Sequence, residues 1–92
     1  MLFLVRMTVN IPDTLAADIK SDLFSKEKEY SQRAQKDGKI AALWRVSGQF
    51  ANYCLFDVDS NDELHELISN LPLFPYLDIE VTALNKHPNS IR

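Results

Sequence analysis

Two prolines three residues apart, Pro72 and Pro75, constrain the fold of this chain more than any other feature. Proline interrupts a helix, so a helix must end before Pro72 and cannot resume until the pair is passed. Residues 76–81 then alternate in the manner of a strand. The connection between the two elements is apolar, Leu-Pro-Leu-Phe-Pro-Tyr. An apolar loop needs a cover, which either its own domain, another subunit or a pocket that it lines would provide.

The first half of the chain predicts a strand followed by a long helix. Residues 2–10 are rich in Leu, Val and Phe and present two chemically different faces. Pro12 breaks the strand, and Asp13 or Thr14 is the expected helix N-cap. The helix runs to about residue 37, where Gly38 stops it. At about 100° per residue, its apolar stripe spans about 60° of arc and consists of Ala16, Ile19, Leu23, Tyr30 and Ala34.

A hairpin and a second helix follow. Strands are expected over 39–47 and 49–58, joined by a tight turn at Ser47-Gly48. Strict alternation assigns one face of the first of these strands to Ile40, Ala42, Trp44 and Val46, and the other to Ala41, Leu43, Arg45 and Ser47. Ser60 to Glu63 forms a capping box, S-x-x-E, which opens the second helix. A last strand over 76–84 and a polar tail from residue 85 complete the chain.

The element order β-α-β-β-α-β predicts one ferredoxin-like α+β domain over residues 1–92. Its four antiparallel strands carry two helices on one face. The chain supplies no layer for the other face, where leucine and aromatic side chains lie, and self-association through that face is therefore expected. A dimer through the sheets is the minimum, and a larger closed ring is the alternative.

Composition removes several functional classes. The formal charge is −3 and no basic stripe is present, so nucleic acid is not an expected partner. No apolar run approaches a membrane span of ~20 residues, and residues 1–5 lack the flanks of a signal peptide. The single cysteine, Cys54, excludes an intrachain disulfide and favours a cytoplasmic protein. Neither His65 nor His87 has metal-ligand spacing, and only two glycines occur, so neither a metal nor a nucleotide cofactor is expected.

Glu27 is the best catalytic candidate on physical grounds. It lies about 40° from the centre of the apolar helix stripe, where partial desolvation raises the pKa of a carboxyl toward the range of a general base. The structural alternative is that Glu27 pairs with Lys26, with an arginine of the sheet or with water.

The two hairpin strands and the first strand add candidates for binding. Arg45 in an apolar strand needs an anion, either a substrate carboxylate or a salt bridge to Glu27, Asp57 or another subunit. Arg6 admits the same two interpretations. Asn52 and Tyr53 are polar strand residues that can orient a carbonyl or make only packing contacts. Cys54 has no activating neighbour in sequence and is expected to be buried and inert.

Seven short segments together resemble muconolactone Δ-isomerase and span essentially the whole chain. They are MLFLVRMTVNIP at the start, EKE at 27–29, LWR at 43–45, ANY at 51–53, FDV at 56–58, LPLFPYLDIEV at 71–81 and KHP at 86–88. The long LPLFPYLDIEV segment is the most specific of them. The resemblance implies a ferredoxin-like subunit of a decamer and a cofactor-free isomerase of the β-ketoadipate pathway, which converts muconolactone to 3-oxoadipate enol-lactone.

That reaction assigns hypothetical roles to the candidate residues. Glu27 would remove the ring γ-proton and return it at the α-carbon. Asn52 or Lys28 would donate to the lactone oxygen as it becomes negative, although the helical wheel points Lys28 outward. Arg45 would bind the acetate arm, and Trp44 would form a flat wall for the ring.

Two departures from the resemblance keep other functions open. Leu4 and Ala42 stand where such isomerases often carry histidine, and Ile40 stands where they carry an aromatic residue. If the two histidine positions contact substrate, a more apolar pocket at Leu4 and Ala42 favours a chlorinated lactone and the activity of a chloromuconolactone dehalogenase, which expels chloride after the same proton abstraction. The second alternative is a non-catalytic ligand-binding or assembly module of the dimeric α+β-barrel type.

Overall fold

The computed structural model describes residues 1–92 and contains four strands, two α-helices and one short 3-10 helix. In chain order they are β1 (Leu2–Val9), α1 (Ala17–Lys36), β2 (Ile40–Arg45), β3 (Ala51–Asp57), α2 (Asn61–Ser69), the 3-10 turn Phe74–Tyr76 and β4 (Leu77–Leu84). The strands form one antiparallel sheet in the order β2-β3-β1-β4. The predicted β-α-β-β-α-β, ferredoxin-like fold is confirmed.

The core lies between one face of the sheet and the two helices. On the central strand β1, the alternate residues Phe3, Val5 and Met7 are buried, as the strand period of two requires. Val5 pairs with Cys54 of β3, which is also buried. The helices contribute buried side chains at one-turn spacing, and the cluster is completed by Ala34, Ile40, Phe56, Val58, Leu64, Ile68 and Leu71. Full burial of an apolar side chain stabilises by about 1.5–3 kcal/mol each, so this cluster positions both helices on the sheet.

Helix α1 begins later than the sequence predicted. The N–H of Leu15 donates to the carbonyl of Pro12 at 3.1 Å, which forms a separate turn first. The backbone is then extended at Ala16, and the helix starts at Ala17 without a side-chain cap. Asp13 and Thr14 were therefore wrong as N-caps, because the turn consumes the residues that would have opened the helix. The predicted stop is confirmed, since Gly38 has a positive φ of 77°.

The buried side of α1 is also rotated from the predicted stripe. Ile19 of that stripe is 50% exposed. The helix residues that escape exposure are Leu23, Phe24, Glu27, Tyr30, Ser31 and Ala34. Their mean direction is about 40° from that of the predicted stripe, and Glu27 lies at its centre. The carboxylate therefore faces the sheet rather than the edge of the helix contact.

A β-bulge changes which residues share a face of β2. Ile40 pairs with Phe56, yet Ala42 pairs with Leu55, so the register shifts between Ile40 and Ala42. Ile40 consequently enters the core with an exposure of 4%. Strict alternation was wrong in placing Ile40 with Ala42 and Trp44, because a bulge inserts one residue and reverses the faces beyond it.

Helix α2 follows the predicted capping box. The Ser60 hydroxyl oxygen accepts a hydrogen bond from the N–H of Glu63 at 3.1 Å. The Glu63 carboxylate in turn lies 2.6 Å from the ammonium of Lys39, just before β2. Tyr30 of α1 donates its hydroxyl proton to the carbonyl of Leu67 at 2.8 Å. These contacts fix α2 against α1 and the sheet.

The segment 70–76 packs its leucines inward. Leu71 and Leu73 are buried, whereas Phe74 remains 38% exposed. The N–H of Phe74 donates to the carbonyl of Leu71 at 2.9 Å, and the N–H of Tyr76 to that of Leu73 at 2.8 Å. The apolar loop is thus covered by its own domain at the two leucines. It is a well-defined structure of two consecutive turns rather than an open connection.

The opposite face of the sheet has no layer within the chain. Cross-strand pairs put Leu4 beside Leu55 and Arg6 beside Tyr53 on this open face. Several large apolar side chains here are exposed, namely Leu2, Trp44 and Leu84. Residues 85–92 follow β4 without helix or strand and are exposed. Neither helix is long and apolar enough to cross a bilayer.

Candidate active site

A cavity of about 340 Å³ lies between α1, the sheet and the segment 70–76. This volume lies within the usual range for small-molecule sites. Twelve of its sixteen lining residues are hydrophobic. The polar ones are Glu27, Ser31, Arg45 and Asn52. The apolar walls are formed largely by core residues of the sheet and by Leu71 and Leu73, so the site is an extension of the core.

Glu27 is the carboxylate of this cavity. Its Oε1 accepts a hydrogen bond from the main-chain N–H of Leu73 at 3.1 Å. Its Oε2 is buried and has no hydrogen-bond partner. Desolvation raises the pKa of Glu27 above the ordinary glutamate value, and the Leu73 hydrogen bond opposes that rise. Burial therefore makes this carboxylate a stronger base than a solvated one.

No cation neutralises Glu27 within the chain. Lys26, the first of the expected partners, lies 2.8 Å from Asp22 on the same helix. Arg45 makes no ion pair with any carboxylate of the chain. The nearby hydroxyl of Tyr30 donates to the carbonyl of Leu67, and partial burial together with the charge on Glu27 raises the pKa of Tyr30. The salt-bridge alternatives for Glu27 and Arg45 are thus absent from the subunit.

Arg45 and Asn52 face the same cavity from adjacent strands. They are cross-strand partners of β2 and β3, a relation that puts Cβ atoms about 4.5–5.5 Å apart. The guanidinium carbon of Arg45 lies 5.2 Å from the ring centroid of Phe50. Phe50 also stacks on Phe24 of α1, with centroids 5.8 Å apart. Because Arg45 and Phe50 are exposed, this end of the cavity opens outward, while Glu27 is only partly exposed.

The other two predicted binding residues are placed differently. Trp44 contributes to the cavity lining, but it pairs with Tyr53 and shares the open face of the sheet with it. Lys28 is exposed and does not line the cavity. The subunit therefore does not bring Lys28 to Glu27, because successive helix residues point about 100° apart. Of the two predicted donors to the lactone oxygen, Asn52 and Lys28, only Asn52 lines the cavity.

Several lining residues were missed by sequence reasoning. Phe24 and Ser31 lie on the Glu27 side of α1, one turn before and one turn after it. Their spacing of three and four residues from Glu27 was a usable signal, but the predicted stripe was centred elsewhere. Phe50 precedes β3, but it lies within the predicted strand 49–58 and two residues before Asn52, a spacing that puts both on one strand face and was also a usable signal. Leu71 and Leu73 belong to the apolar loop for which a pocket was one of the predicted covers, and both line this cavity.

The other residues singled out in the sequence have no evident part in the chemistry of the cavity. Cys54 lines it, but burial raises the pKa of the thiol to about 12, so it remains neutral. The prediction of a buried cysteine is confirmed. Arg6 donates to the Gln49 side chain at 2.7 Å and lies over the Tyr53 ring on the open face. Leu4 also lies on the open face, and neither it nor Ala42 lines the cavity.

The arrangement suits proton transfer on a small anionic molecule. A partly desolvated carboxylate faces apolar walls, an amide is positioned on the sheet side, and a guanidinium lies at the open end. Such a set can remove a proton from carbon, stabilise the resulting oxyanion and anchor a remote anionic group. No group of three or more His, Cys, Asp or Glu side chains is arranged to hold a metal ion.

Fold and cavity together define a ferredoxin-like α+β protein whose apolar small-molecule cavity contains one half-buried carboxylate. Comparison with known proteins narrows this class. The model of the family described as muconolactone delta-isomerase matches residues 1–90. A muconolactone Delta-isomerase of Cupriavidus pinatubonensis is 55% identical over 92 residues, which cover all of both chains. Muconolactone Delta-isomerase 1 of Acinetobacter lwoffii is 53% identical over all of this chain and 96% of that protein.

Solved structures agree with these relatives. The crystal structure of a muconolactone isomerase matches with a TM-score of 0.96 at 48% identity, over all of this chain and 96% of that one. A 5-chloro-2-hydroxyhydroquinone dehydrochlorinase of Burkholderia phenoliruptrix shares the fold, with a TM-score of 0.70 at 18% identity over 95% of this chain and 96% of that one. The chain belongs to the muconolactone delta-isomerase family.

Proposed function

We propose that this protein is a muconolactone Δ-isomerase, which converts muconolactone to 3-oxoadipate enol-lactone in the catechol branch of the β-ketoadipate pathway. The observation that carries the proposal is the Glu27 carboxylate, which lies in an apolar cavity with one buried oxygen free of any donor. Full-length similarity to curated isomerases supports the substrate.

The reaction shifts one carbon–carbon double bond. Glu27 accepts the γ-proton of the lactone ring, and the electrons of that C–H bond form the β,γ double bond. The α,β π-electrons move toward the carbonyl carbon, and the carbonyl oxygen becomes negative. Return of the proton from Glu27 to the α-carbon gives the product. The two carbons are two bonds apart, so one carboxylate serves both. Atoms and electrons balance without an oxidant or reductant, and no cofactor is required.

The remaining residues receive roles from their positions in the cavity. The side-chain amide of Asn52 donates to the lactone oxygen when it becomes negative. Arg45, at the open end, binds the acetate carboxylate with its planar fork. The exposed indole of Trp44 covers the ring from the edge strand. Lys28 is left without a role, because it lies outside the cavity of its own subunit.

Quaternary structure and location belong to the same proposal. The exposed apolar side chains of the open face, among them Leu2 and Leu84, favour burial against further copies of the chain, and the resemblance to the family implies ten subunits. Sedimentation of wild type and of Leu55→Glu, which puts a charge in that face, tests this; a monomeric wild type would contradict it. A cytoplasmic location fits the single free thiol of Cys54, and cell fractionation tests it.

The direct test is an assay of purified protein on muconolactone and on 5-chloromuconolactone, with absorbance and chloride release followed together. We expect isomerisation without chloride release. Glu27→Gln should lose activity by about 10²–10⁴-fold, the usual contribution of general acid–base catalysis. Near wild-type turnover in Glu27→Gln would contradict the assignment of Glu27 as the base. If wild type turned over no lactone at all, a ligand-binding module would be favoured instead. Leu4 and Ala42 lie outside the cavity, so the specific argument for a chlorinated substrate has no support within the subunit.

A further inference from the structure

The two oxygens of the Glu27 carboxylate have different surroundings. Oε1 accepts the Leu73 N–H at 3.1 Å, from a residue 46 positions further along the chain. Oε2 is buried and accepts nothing. A buried polar atom without a partner is costly and needs an explanation. A base that takes a proton from carbon needs a lone pair that no stronger donor occupies, since a C–H group competes poorly with N–H or O–H donors.

The donor on Oε1 is held by a rigid turn. Pro72 has a fixed φ and precedes Leu73 directly. The Leu73 side chain is only 4% exposed and is held among the cavity walls. On either side, the N–H of Leu71 donates to the carbonyl of Ile68 at 3.1 Å, and that of Tyr76 to the carbonyl of Leu73 at 2.8 Å. The Leu73 N–H therefore cannot turn away without breaking neighbouring bonds.

Other ionisable groups around Glu27 leave Oε2 free. From α1, the Tyr30 hydroxyl donates to Leu67. From β3, the Cys54 thiol is neutral because of its burial. From β2, Arg45 forms no ion pair with Glu27 and lies at the open end of the cavity. The main-chain amide of Leu73 is thus the one donor that orients this carboxylate within the chain.

We infer that Leu73 is a positioning residue whose main-chain N–H fixes Oε1 of Glu27, so that Oε2 alone carries the proton between the two lactone carbons. This inference rests on the proposed isomerase function. It gives the Pro72–Pro75 segment a task besides packing, since the segment holds the donor that aims the base. The same hydrogen bond favours the ionised carboxylate and keeps Glu27 available as a base in spite of its burial.

The test replaces one backbone atom. In a synthetic 92-residue chain, an ester in place of the amide at Leu73 exchanges the N–H for an oxygen and leaves every side chain unchanged. The pKa of Glu27 is read by NMR of a ¹³C-labelled carboxyl and from the acid limb of kcat/KM. We expect the pKa to rise by about 1–2 units, as loss of a hydrogen bond to a charged group requires, and kcat to fall about tenfold or more.

An ester at Leu71 is the matched control. It uses the same hydroxy acid and also removes one backbone hydrogen bond beside the cavity, the one to Ile68. We expect it to lower stability similarly and to leave the pKa of Glu27 unchanged. If the Leu73 ester does not fold, Pro72→Gly loosens the same turn and should move both readouts in the same direction, by a smaller amount.

The outcomes separate the inference from the proposed function. A pKa of Glu27 that moves no more in the Leu73 ester than in the Leu71 ester, with Glu27→Gln inactive, overturns the positioning role alone. An unchanged pKa in Pro72→Gly does the same where the ester fails to fold. Full turnover in Glu27→Gln overturns the proposed function and the role of Oε2 with it.

Discussion

The guanidinium of Arg45 lies over the face of Phe50, with 5.2 Å between its carbon atom and the ring centroid. Phe50 stacks in turn on Phe24 of α1. The aromatic pair therefore supports a cation that has no carboxylate partner in the chain. Stacking on an aromatic face leaves the N–H edge of the guanidinium free to bind an anion. This relation explains how a charged strand residue is held at the mouth of an apolar cavity.

Replacement of Arg45 by methionine should weaken binding of the acetate arm. We expect kcat/KM for muconolactone to fall by about tenfold or more, mostly through KM, because a charge-assisted hydrogen bond is lost. Arg45→Lys should recover only part of it, since an ammonium cannot form the planar fork. Steady-state kinetics on muconolactone and on its methyl ester measure the effect.

The methyl ester provides the internal control for Arg45. Wild type should prefer the free acid, and Arg45→Met should lose that preference. Arg33→Met changes an exposed arginine in the last turn of α1 and should leave kinetics unchanged. An Arg45→Met enzyme that still prefers the acid by the wild-type factor would place the carboxylate elsewhere.

Asn52 should act on kcat more than on KM. Asn52→Leu removes the amide at nearly the same volume, and we expect kcat to fall about 100-fold, as for loss of one oxyanion donor. Tyr53→Phe is the control, because Tyr53 is adjacent in β3 but lies on the open face beneath Arg6. Unchanged kcat in Asn52→Leu would assign oxyanion stabilisation to another donor.

Most of the fold follows from local signals in the sequence. Gly38 and Gly48 both adopt the positive φ of 77° that turns at those positions need. The capping box at Ser60 is formed as predicted. Each of these features depends on a few neighbouring residues, and local patterns are sufficient for such features. The start of α1 depended on a competing turn at Pro12, and the faces of β2 depended on a bulge after Ile40. Neither the turn nor the bulge produces a periodic pattern of apolar residues in the sequence.

Only part of the candidate site could be predicted from the sequence. Glu27, Arg45 and Asn52 were selected because a polar residue in an apolar pattern needs a partner, and all three line the cavity. The main-chain N–H of Leu73 could not be predicted as a donor to Glu27. Every residue except proline has a main-chain N–H, and the sequence does not show which of them lacks a partner in a helix or strand. Lys28 does not line the cavity of its own subunit, in agreement with the helical wheel, which had pointed its side chain outward.

The hydrogen bond from the Tyr30 hydroxyl to the Leu67 carbonyl should contribute to stability. It is 2.8 Å long, partly buried, and joins α1 to α2. Tyr30→Phe keeps the ring and removes the donor, and we expect a loss of about 1 kcal/mol in the free energy of unfolding. Urea denaturation at one fixed protein concentration measures it, since self-association also affects the midpoint. Tyr53→Phe, on the open face, is the control and should change stability less. Equal losses of unfolding free energy in Tyr30→Phe and Tyr53→Phe would show that the interhelical hydrogen bond is not the cause of the destabilisation.

Glu27 should lower the stability of the protein at neutral pH. Burial raises its pKa in the folded state above an unfolded value of about 4.3. The contribution of this group to stability is then complete below the unfolded pKa and is lost as pH rises through the folded pKa. Glu27→Gln carries no charge, and its side-chain oxygen can still accept the Leu73 N–H. We therefore expect Glu27→Gln to be inactive but more stable than wild type at pH 7, with the difference disappearing at about pH 4 and below.

Urea denaturation of both proteins across this pH range gives the comparison. The unfolding free energy of Glu27→Gln minus that of wild type should rise with pH and level off above the folded pKa of Glu27. The pH at which this rise levels off gives the folded pKa of Glu27 independently of kinetics. Glu29→Gln lies two residues further along α1 on its exposed side, and its curve should run parallel to that of wild type. A Glu27→Gln protein that is less stable than wild type at pH 7 would mean that the carboxylate gains more from Leu73 than it loses by desolvation. The base would then be an ordinary stabilising contact instead of a group whose burial is maintained for catalysis at the expense of stability.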